Sequence, residues 1–225
     1  MNERVQTQFN TLSSEYDANR RKLIPAFDAL YAAGVDFLEY PGDSPSVLDV
    51  GAGTGIFTAR LLDRYPGAFV TLVDFSNEML EIARKKFAGN DRISYIFGDY
   101  SEMDIDMERF DIVISALSLH HLNAEGMRAF FAKLWRGFRC GVEFVNADIV
   151  NHTDPALTAR LDALWTDFVR SNVGDGELFD RFLGSKDVDD PSTIEDQLAW
   201  LKECGFSQAY CIFNYYNFAV VYAKK

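Results

Sequence analysis

From residue 47 onward the chain alternates between short apolar runs and longer segments whose apolar residues recur every three or four positions. "SVLDV" is a compact apolar run that stops at glycine. "TARLLDRY" follows with helical spacing and ends at Pro66-Gly67. "AFVTLVD" predicts a second strand. "SNEMLEIARKKFAG" predicts a helix with Ser76 or Asn77 as cap, Glu78 in its first turn and Gly89 beyond its end. Its Met79, Ile82, Ala83 and Phe87 share one face. "RISYIFGD" predicts a third strand and "FDIVISALSL" a fourth, apolar enough to be covered on both sides. "NAEGMRAFFAKLWRG" puts Met127, Phe130, Phe131, Leu134 and Trp135 on one side of a helix, and "CGVEFVNADIV" predicts a fifth strand.

Strands that alternate with helices at this spacing pair in parallel through right-handed crossovers. The expected fold class is α/β, an open, doubly wound sheet with helices on both faces. Ligands of such sheets bind beyond the carboxyl ends of the strands, where strand order reverses.

The two ends read differently, within one expected domain over 1–225. Residues 1–45 read as a helical cap: "RVQTQFNTL", then "LIPAFDALYAAGVDFL". Residues 46–150 are the alternating core, and 151–191 a lid of one helix followed by a polar, acidic, glycine-containing stretch. In 192–225, "STIEDQLAWLKECG" predicts a helix with a capping box of Ser192 and Glu195. "FSQAYCIFNYYNFAVVYAKK" predicts a terminal hairpin whose last strand runs antiparallel to the rest.

Composition narrows the class. Of 225 residues, 48% are hydrophobic and 25% charged, which suits a packed core. The formal net charge of −12 repels polyanions, so nucleic acid and anionic membranes are not expected partners. The basic clusters are "RRK" at 20–22 and "RKK" at 84–86, the second placed to end a helix. "MNERVQTQFN" lacks the pattern of a signal peptide, and the longest apolar runs are too short to span a bilayer. Cys140, Cys204 and Cys211 are odd in number and form no C-x-x-C pair, which predicts reduced thiols and a cytoplasmic location.

The chemistry starts at "LDVGAGTG". A strand that enters a helix through glycines exposes backbone N–H groups, with no Cβ to block approach. The dinucleotide fingerprint wants a small residue five positions after Gly51, where Ile56 stands, and no G-K-[ST] follows for a phosphate loop. The run suits a ligand with a ribose and a short charged tail. Asp74 ends the second strand at the distance where an acid meets ribose hydroxyls, with Phe75 beside it to pack on adenine. Asp99 ends the third strand, placed to accept from an exocyclic amine, and "SALSLHHL" ends the fourth beside the same crevice.

"LDVGAGTG", "LVDFS", "FGDYSEMD" and "FDIVISALSLHHL", in this order, resemble the successive motifs of class I S-adenosylmethionine-dependent methyltransferases. "YDANRRKLIPAFDALY", "NADIV" and "CIFNYYNFAV" further resemble a little-characterised microbial branch of that family. The resemblance implies a Rossmann-like sheet of seven mostly parallel strands, and S-adenosylmethionine as cofactor with S-adenosylhomocysteine as product. Gly51, Ala52 and Gly53 would pass under its methionine part, and Asp49 would orient that loop. Asp74 would hold the ribose with Phe75 beside adenine, Met79 would also bind the cofactor, and Asp99 would bond the adenine amine with Tyr100 nearby. Ser115 and Ala116 would line the sulfonium side. Tyr16 and Arg21 would close over the cofactor from the N-terminal helices, a task for which Arg20 serves as well.

Methyl transfer from a sulfonium is an in-line displacement, so alignment and exclusion of water can supply most of the acceleration. A base is required only for a protonated acceptor. His120 and His121, after the fourth strand, are candidates, and so are Asn146 and Asp148 on the fifth; each has an alternative role in capping, packing or a turn. Asp148 with His152 lacks a third ligand, and no metal is expected. Leu157, Leu161, Leu164, Trp165 and Phe168 are in helical register, as core or as an apolar acceptor pocket.

The reading is a methyltransferase acting on a small molecule. A tRNA, other RNA or protein acceptor would need a basic groove. A carboxylated-cofactor synthase would need a further arginine by the methyl site. A non-catalytic cofactor-binding protein and an NAD-dependent oxidoreductase complete the alternatives. The acceptor and the oligomeric state, a homodimer included, are not written in the motifs.

Overall fold

The computed structural model describes residues 16–186 and 191–225, and for Tyr16 and Ala18 the backbone alone. The helix expected over "RVQTQFNTL" lies outside these residues.

Seven strands form one sheet: β1 (Ser46–Val50), β2 (Phe69–Asp74), β3 (Ile93–Phe97), β4 (Ile112–Ala116), β5 (Glu143–Ile149), β6 (Gln208–Tyr215) and β7 (Phe218–Lys224). Their order across the sheet is β3-β2-β1-β4-β5-β7-β6. The first five pair in parallel. β7 runs antiparallel to β5, and β6 to β7, as the terminal hairpin predicts. The chain winds outward from β1 to β3, then returns to start again at β4. β1 and β4 are hydrogen-bonded neighbours at this reversal, so a crevice opens above their carboxyl ends.

The helices are α1 (Tyr16–Leu23), α2 (Phe27–Asp36), α3 (Ile56–Arg64), α4 (Asn77–Lys86), α5 (Ala124–Gly137), α6 (Pro155–Val173), α7 (Glu177–Lys186) and α8 (Ile194–Cys204). They cover both faces. Leu30 of α2, Phe57 and Leu61 of α3, and Trp165 of α6 join Val145, Val220 and Tyr222 of the sheet in one core. Phe131 and Leu134 of α5 and Leu201 of α8 join Phe144 and Val221 in the other. Successive residues of β5, Phe144 and Val145, thus feed opposite cores, which is why its run is apolar without alternation.

Three local expectations are corrected. "LIPAFDALYAAGVDFL" does not form one helix, because Pro25 has no N–H to donate and disfavours helical backbone at Ile24; α1 ends at Leu23, and Ala26 turns the chain with φ +54°. The stretch after α6 holds a second helix, α7, which buries Phe179 and Phe182. The cap of α8 is Thr193, whose hydroxyl accepts from Asp196 N at 3.0 Å, so the cap falls one residue later than Ser192. Ser76 caps α4 by accepting from Met79 N. Among the described residues no helix is long and apolar enough to cross a membrane, and the three cysteines are free thiols.

Candidate functional site

The crevice is built first from the turn after β1. Gly51 and Gly53 have φ of +64° and +54°, a region that costs other residues energy. At Gly51 a Cβ would overlap the Ser118 hydroxyl, so the turn presses directly on the loop after β4. At Gly53 a Cβ would meet none of the described residues within 4 Å. Gly55 leaves room for the Phe87 ring, which a Cβ there would meet at 2.5 Å. Close packing is therefore provided at Gly55, and Ile56 is free to face the crevice.

Asp74 anchors this turn. Its Oδ2 accepts Gly53 N at 2.7 Å and its Oδ1 accepts Ser76 N at 2.8 Å, so the tip of β2 holds both the glycine turn and the start of α4. Burial pushes the carboxyl up to about 6, against the pull of these amides. Asp49 lies deeper, 1% exposed. Its Oδ2 accepts from Thr58 Oγ1 at 2.6 Å, while its Oδ1 is buried and has no hydrogen-bond partner among the described residues. Burial pushes Asp49 to about 7, with the Thr58 bond opposing and the charge of Asp74 adding to the rise. A ligand that brings positive charge or donors to these two acids relieves that cost.

α1 closes the other side. Asp17 Oδ1 accepts from Thr54 Oγ1 at 2.5 Å, and its Oδ2 accepts from Lys86 Nζ at 2.7 Å, so the helix is tied to the glycine turn and to the end of α4. Trp165 of α6 donates to Leu23 O at 2.7 Å and holds the helix from behind. One turn after Asp17, Arg20 enters the wall of the cleft. Arg21 points away: it pairs with Asp28 at 2.6 Å, with both side chains more than half exposed. The cleft thus takes Arg20 where the resemblance suggested Arg21.

The end of β4 supplies the far wall. Leu117 adopts φ +52°, a strained position for a branched residue, and lines the cleft with Ala116, Ser118 and His121. His120, next to His121, faces inward instead. Its Nδ1 lies 2.5 Å from Asp148 Oδ1, and its backbone N donates to Asp148 Oδ2 at 3.0 Å. Asp148 therefore pairs with His120; His152 donates its backbone N to Thr158 Oγ1 instead. Among the described residues no group of three or more His, Cys, Asp or Glu could hold a metal ion.

The cleft wall unites Asp49, Gly51, Ala52, Gly53, Asp74, Phe75, Met79, Ala116 and His121 of the residues singled out in the sequence. It does not include Ser115, whose hydroxyl donates to Val50 O at 2.8 Å and ties β4 to β1. Tyr100 lies beneath, fully buried, donating to Ser118 O and accepting from Ser118 Oγ, each at 3.1 Å. Asp99 stands at the end of β3 and accepts from Ser101 N and Oγ at 2.9 and 2.6 Å. The side chain of Tyr16 lies outside the described residues. Sequence reasoning missed Tyr31, Thr54, Phe57, Leu117 and Ser118 in the wall, and Asp17 and Thr58 behind it. Thr58 had a signal, since a threonine one helical turn past a glycine run faces back toward the strand end. Of the helical stripe, Trp165 is buried core while Leu157 and Leu164 are exposed.

Residues 47–141 match the family model described as "Methyltransferase domain". The chain is 32% identical to a demethylmenaquinone methyltransferase of Clavibacter sepedonicus over 118 residues, 52% of this chain and 47% of that enzyme. It thus spans about half the length of that relative. It is 23% identical to a carboxy-S-adenosyl-L-methionine synthase of Shewanella piezotolerans over 96% of this chain and 91% of that one. The solved DhpI–SAM–HEP complex shares its fold, with a TM-score of 0.68 at 20% identity, covering 99% of this chain and 97% of the other.

Proposed function

We propose that this chain, which belongs to the class I S-adenosylmethionine-dependent methyltransferase family, transfers a methyl group from S-adenosylmethionine to a small-molecule acceptor. The observation that carries the reading is the pair of buried acids, Asp49 and Asp74, set around a glycine turn with open space beside Gly53. These residues fit an adenosyl sulfonium compound. The orphaned Asp49 oxygen suits an ammonium group, Asp74 suits ribose hydroxyls, Phe75 and Met79 suit a flat base, and Arg20 suits a carboxylate. A dinucleotide fits worse, because its pyrophosphate would meet two carboxylates with Arg20 as the one lysine or arginine opposing them among the described lining residues.

When bound, the donor supplies an already activated methyl group. The protein's part is to hold, to orient and to exclude water. α1, tied down through Asp17, covers the donor side. α6 and α7 serve as a lid for the acceptor side, packed on α1 through Trp165. The net charge of −12 supports an enclosed small acceptor over RNA, and the free thiols fit work in the cytoplasm.

One observation favours a second reading. Similarity to the carboxy-S-adenosyl-L-methionine synthase runs nearly end to end, while that to the demethylmenaquinone methyltransferase stops near half. In that reading the chain modifies the adenosyl compound itself, and an arginine besides Arg20 would face the added carboxylate.

Calorimetry with S-adenosylhomocysteine and with NAD tests the common core of both readings. Tight binding of the first and none of the second is expected; the reverse sinks both. Mass spectrometry of the adenosyl product then separates them, since a synthase yields a species heavier by one carboxyl group.

A further inference from the structure

We infer that Lys133 is a positioning residue for the adenosyl ligand: from α5 it sets the loop after β3, and Tyr100 passes that setting to the loop after β4 and to the glycine turn, so that the two ends of the cleft keep one spacing. The inference rests on an adenosyl compound as ligand, common to both readings above, and adds a residue that lies outside the described cleft wall.

The loop after β3 is closed on itself and then clamped from outside. Asp99 O accepts from Glu102 N at 3.1 Å and from Met103 N at 3.0 Å, and the Asp99 carboxylate accepts from Ser101. The carbonyls of Tyr100 and Met103 both accept from the Lys133 ammonium, Tyr100 O at 3.0 Å. An ammonium has three protons, and this one turn takes two of them. Burial pushes the ammonium down from its ordinary value, while Asp104 and Asp99, at the two ends of the acidic run it clamps, pull it up.

α5 addresses Tyr100 twice. Lys133 holds its carbonyl, and Phe130, three residues earlier on the same helical face, meets its ring edge-on with centroids 5.6 Å apart. The far end of the ring is held as well, because the hydroxyl donates to Ser118 O and accepts from Ser118 Oγ. Tyr100 is fully buried, so its place is the one these partners fix.

Ser118 carries the setting onward. Its Oγ and Cβ fill the space that a Cβ at Gly51 would need, and the Tyr100 ring stands 3.4 Å from the same point. The glycine turn is therefore seated on Ser118 and Tyr100. In the proposed reading Asp99, at the start of the clamped loop, meets the base, and Gly51 begins the turn that meets the methionine part. Lys133 and Tyr100 are not among the described residues that line the cleft, so they act on a ligand through these loops.

A lysine kept for stability alone would weaken every ligand alike. A lysine that keeps the spacing matters most to a ligand that spans both ends, because joining two contacts in one molecule helps only when their sites stand at the right separation.

Titration of the whole chain with S-adenosylhomocysteine, which reaches both ends, and with adenosine, which reaches one, tests the inference. Adenosine is read by displacement of labelled S-adenosylhomocysteine, and the quantity compared is the ratio of the two affinities. Lys133→Met keeps the stem and removes the ammonium; the ratio is expected to fall by about fivefold or more. Tyr100→Phe keeps the ring and removes both hydroxyl bonds; it should lower the ratio likewise, and it carries the test if Lys133→Met does not fold. The double variant should fall no further than the lower single one, since both act along one chain of contacts. An unchanged ratio in either folded variant overturns the inference, as does a double variant whose loss is the product of the single losses. Failure of the ligand reading looks different: the wild-type protein then does not bind S-adenosylhomocysteine, which removes that reading and this inference together.

Discussion

The Asp74 carboxylate accepts the Gly53 amide at 2.7 Å, so the tip of one strand sets the height of the turn that leaves its neighbour. The acid that we propose holds the ligand's sugar also supports the glycine turn. Asp74→Ala should weaken S-adenosylhomocysteine binding by about 1–3 kcal/mol, because it strands hydroxyl donors and releases the turn. Titration calorimetry on a variant shown folded by circular dichroism checks this; wild-type affinity would refute the role.

Gly51 and Gly53 share a left-handed backbone but differ in what surrounds them. Gly51→Ala drives a methyl into Ser118 and should cost stability, about 2–4 kcal/mol in urea unfolding, through overlap and backbone strain together. Gly53→Ala meets no neighbour among the described residues and should cost about 1 kcal/mol, while its methyl enters the cleft and lowers ligand affinity. Equal stability losses in the two variants would contradict the packing described.

Much of this was legible because alternation of apolar runs fixes a doubly wound sheet, and the sheet brings Asp49, Gly51, Asp74 and Ala116 to neighbouring strand ends. What was not legible depends on packing across the molecule. Tyr100 and Ser115 follow the same strand-end logic, yet one is buried under Ser118 and the other is spent on Val50 O. The left-handed Leu117 carries no sequence mark, since nothing local demands it. The α7 helix was hidden because acidic and glycine residues outweigh the two buried phenylalanines in composition but not in energy.

Arg20 and Arg21 show the same limit at single-residue scale. Adjacent residues on a helix point about 100° apart, and the phase of α1 is set by Asp17 on Thr54 and by Trp165 on Leu23 O. Arg20→Ala should weaken S-adenosylhomocysteine binding by about tenfold, by losing a charge-assisted contact. Arg21→Ala should leave it unchanged, because its exposed pair with Asp28 contributes little. Parallel calorimetry decides, and the reverse ranking would return the assignment to Arg21.

Asp49 and Asp74 make folding and binding respond to pH in opposite directions. Burial raises both carboxyls in the folded protein, to about 7 and about 6, above the ordinary value near 4. The folded state therefore holds protons that the unfolded chain has released. Their contribution to stability is complete below about pH 4 and is lost as pH rises through about 6 to 7. Binding has the other sign, since a ligand that pairs with the ionised acids lowers these values and expels protons. Affinity for S-adenosylhomocysteine should fall as pH drops from about 8 to about 5.5, and calorimetry in buffers of different ionisation heat should show proton release near pH 6.5. Asp49→Asn should remove the larger part of that release. It should also raise the ligand-free protein's stability at pH 8 by about 1–3 kcal/mol, with little gain at pH 4, because an amide cannot ionise beside the orphaned oxygen's position. Proton uptake on binding, or an Asp49→Asn gain independent of pH, would mean that these acids face neither the ligand nor a dry interior.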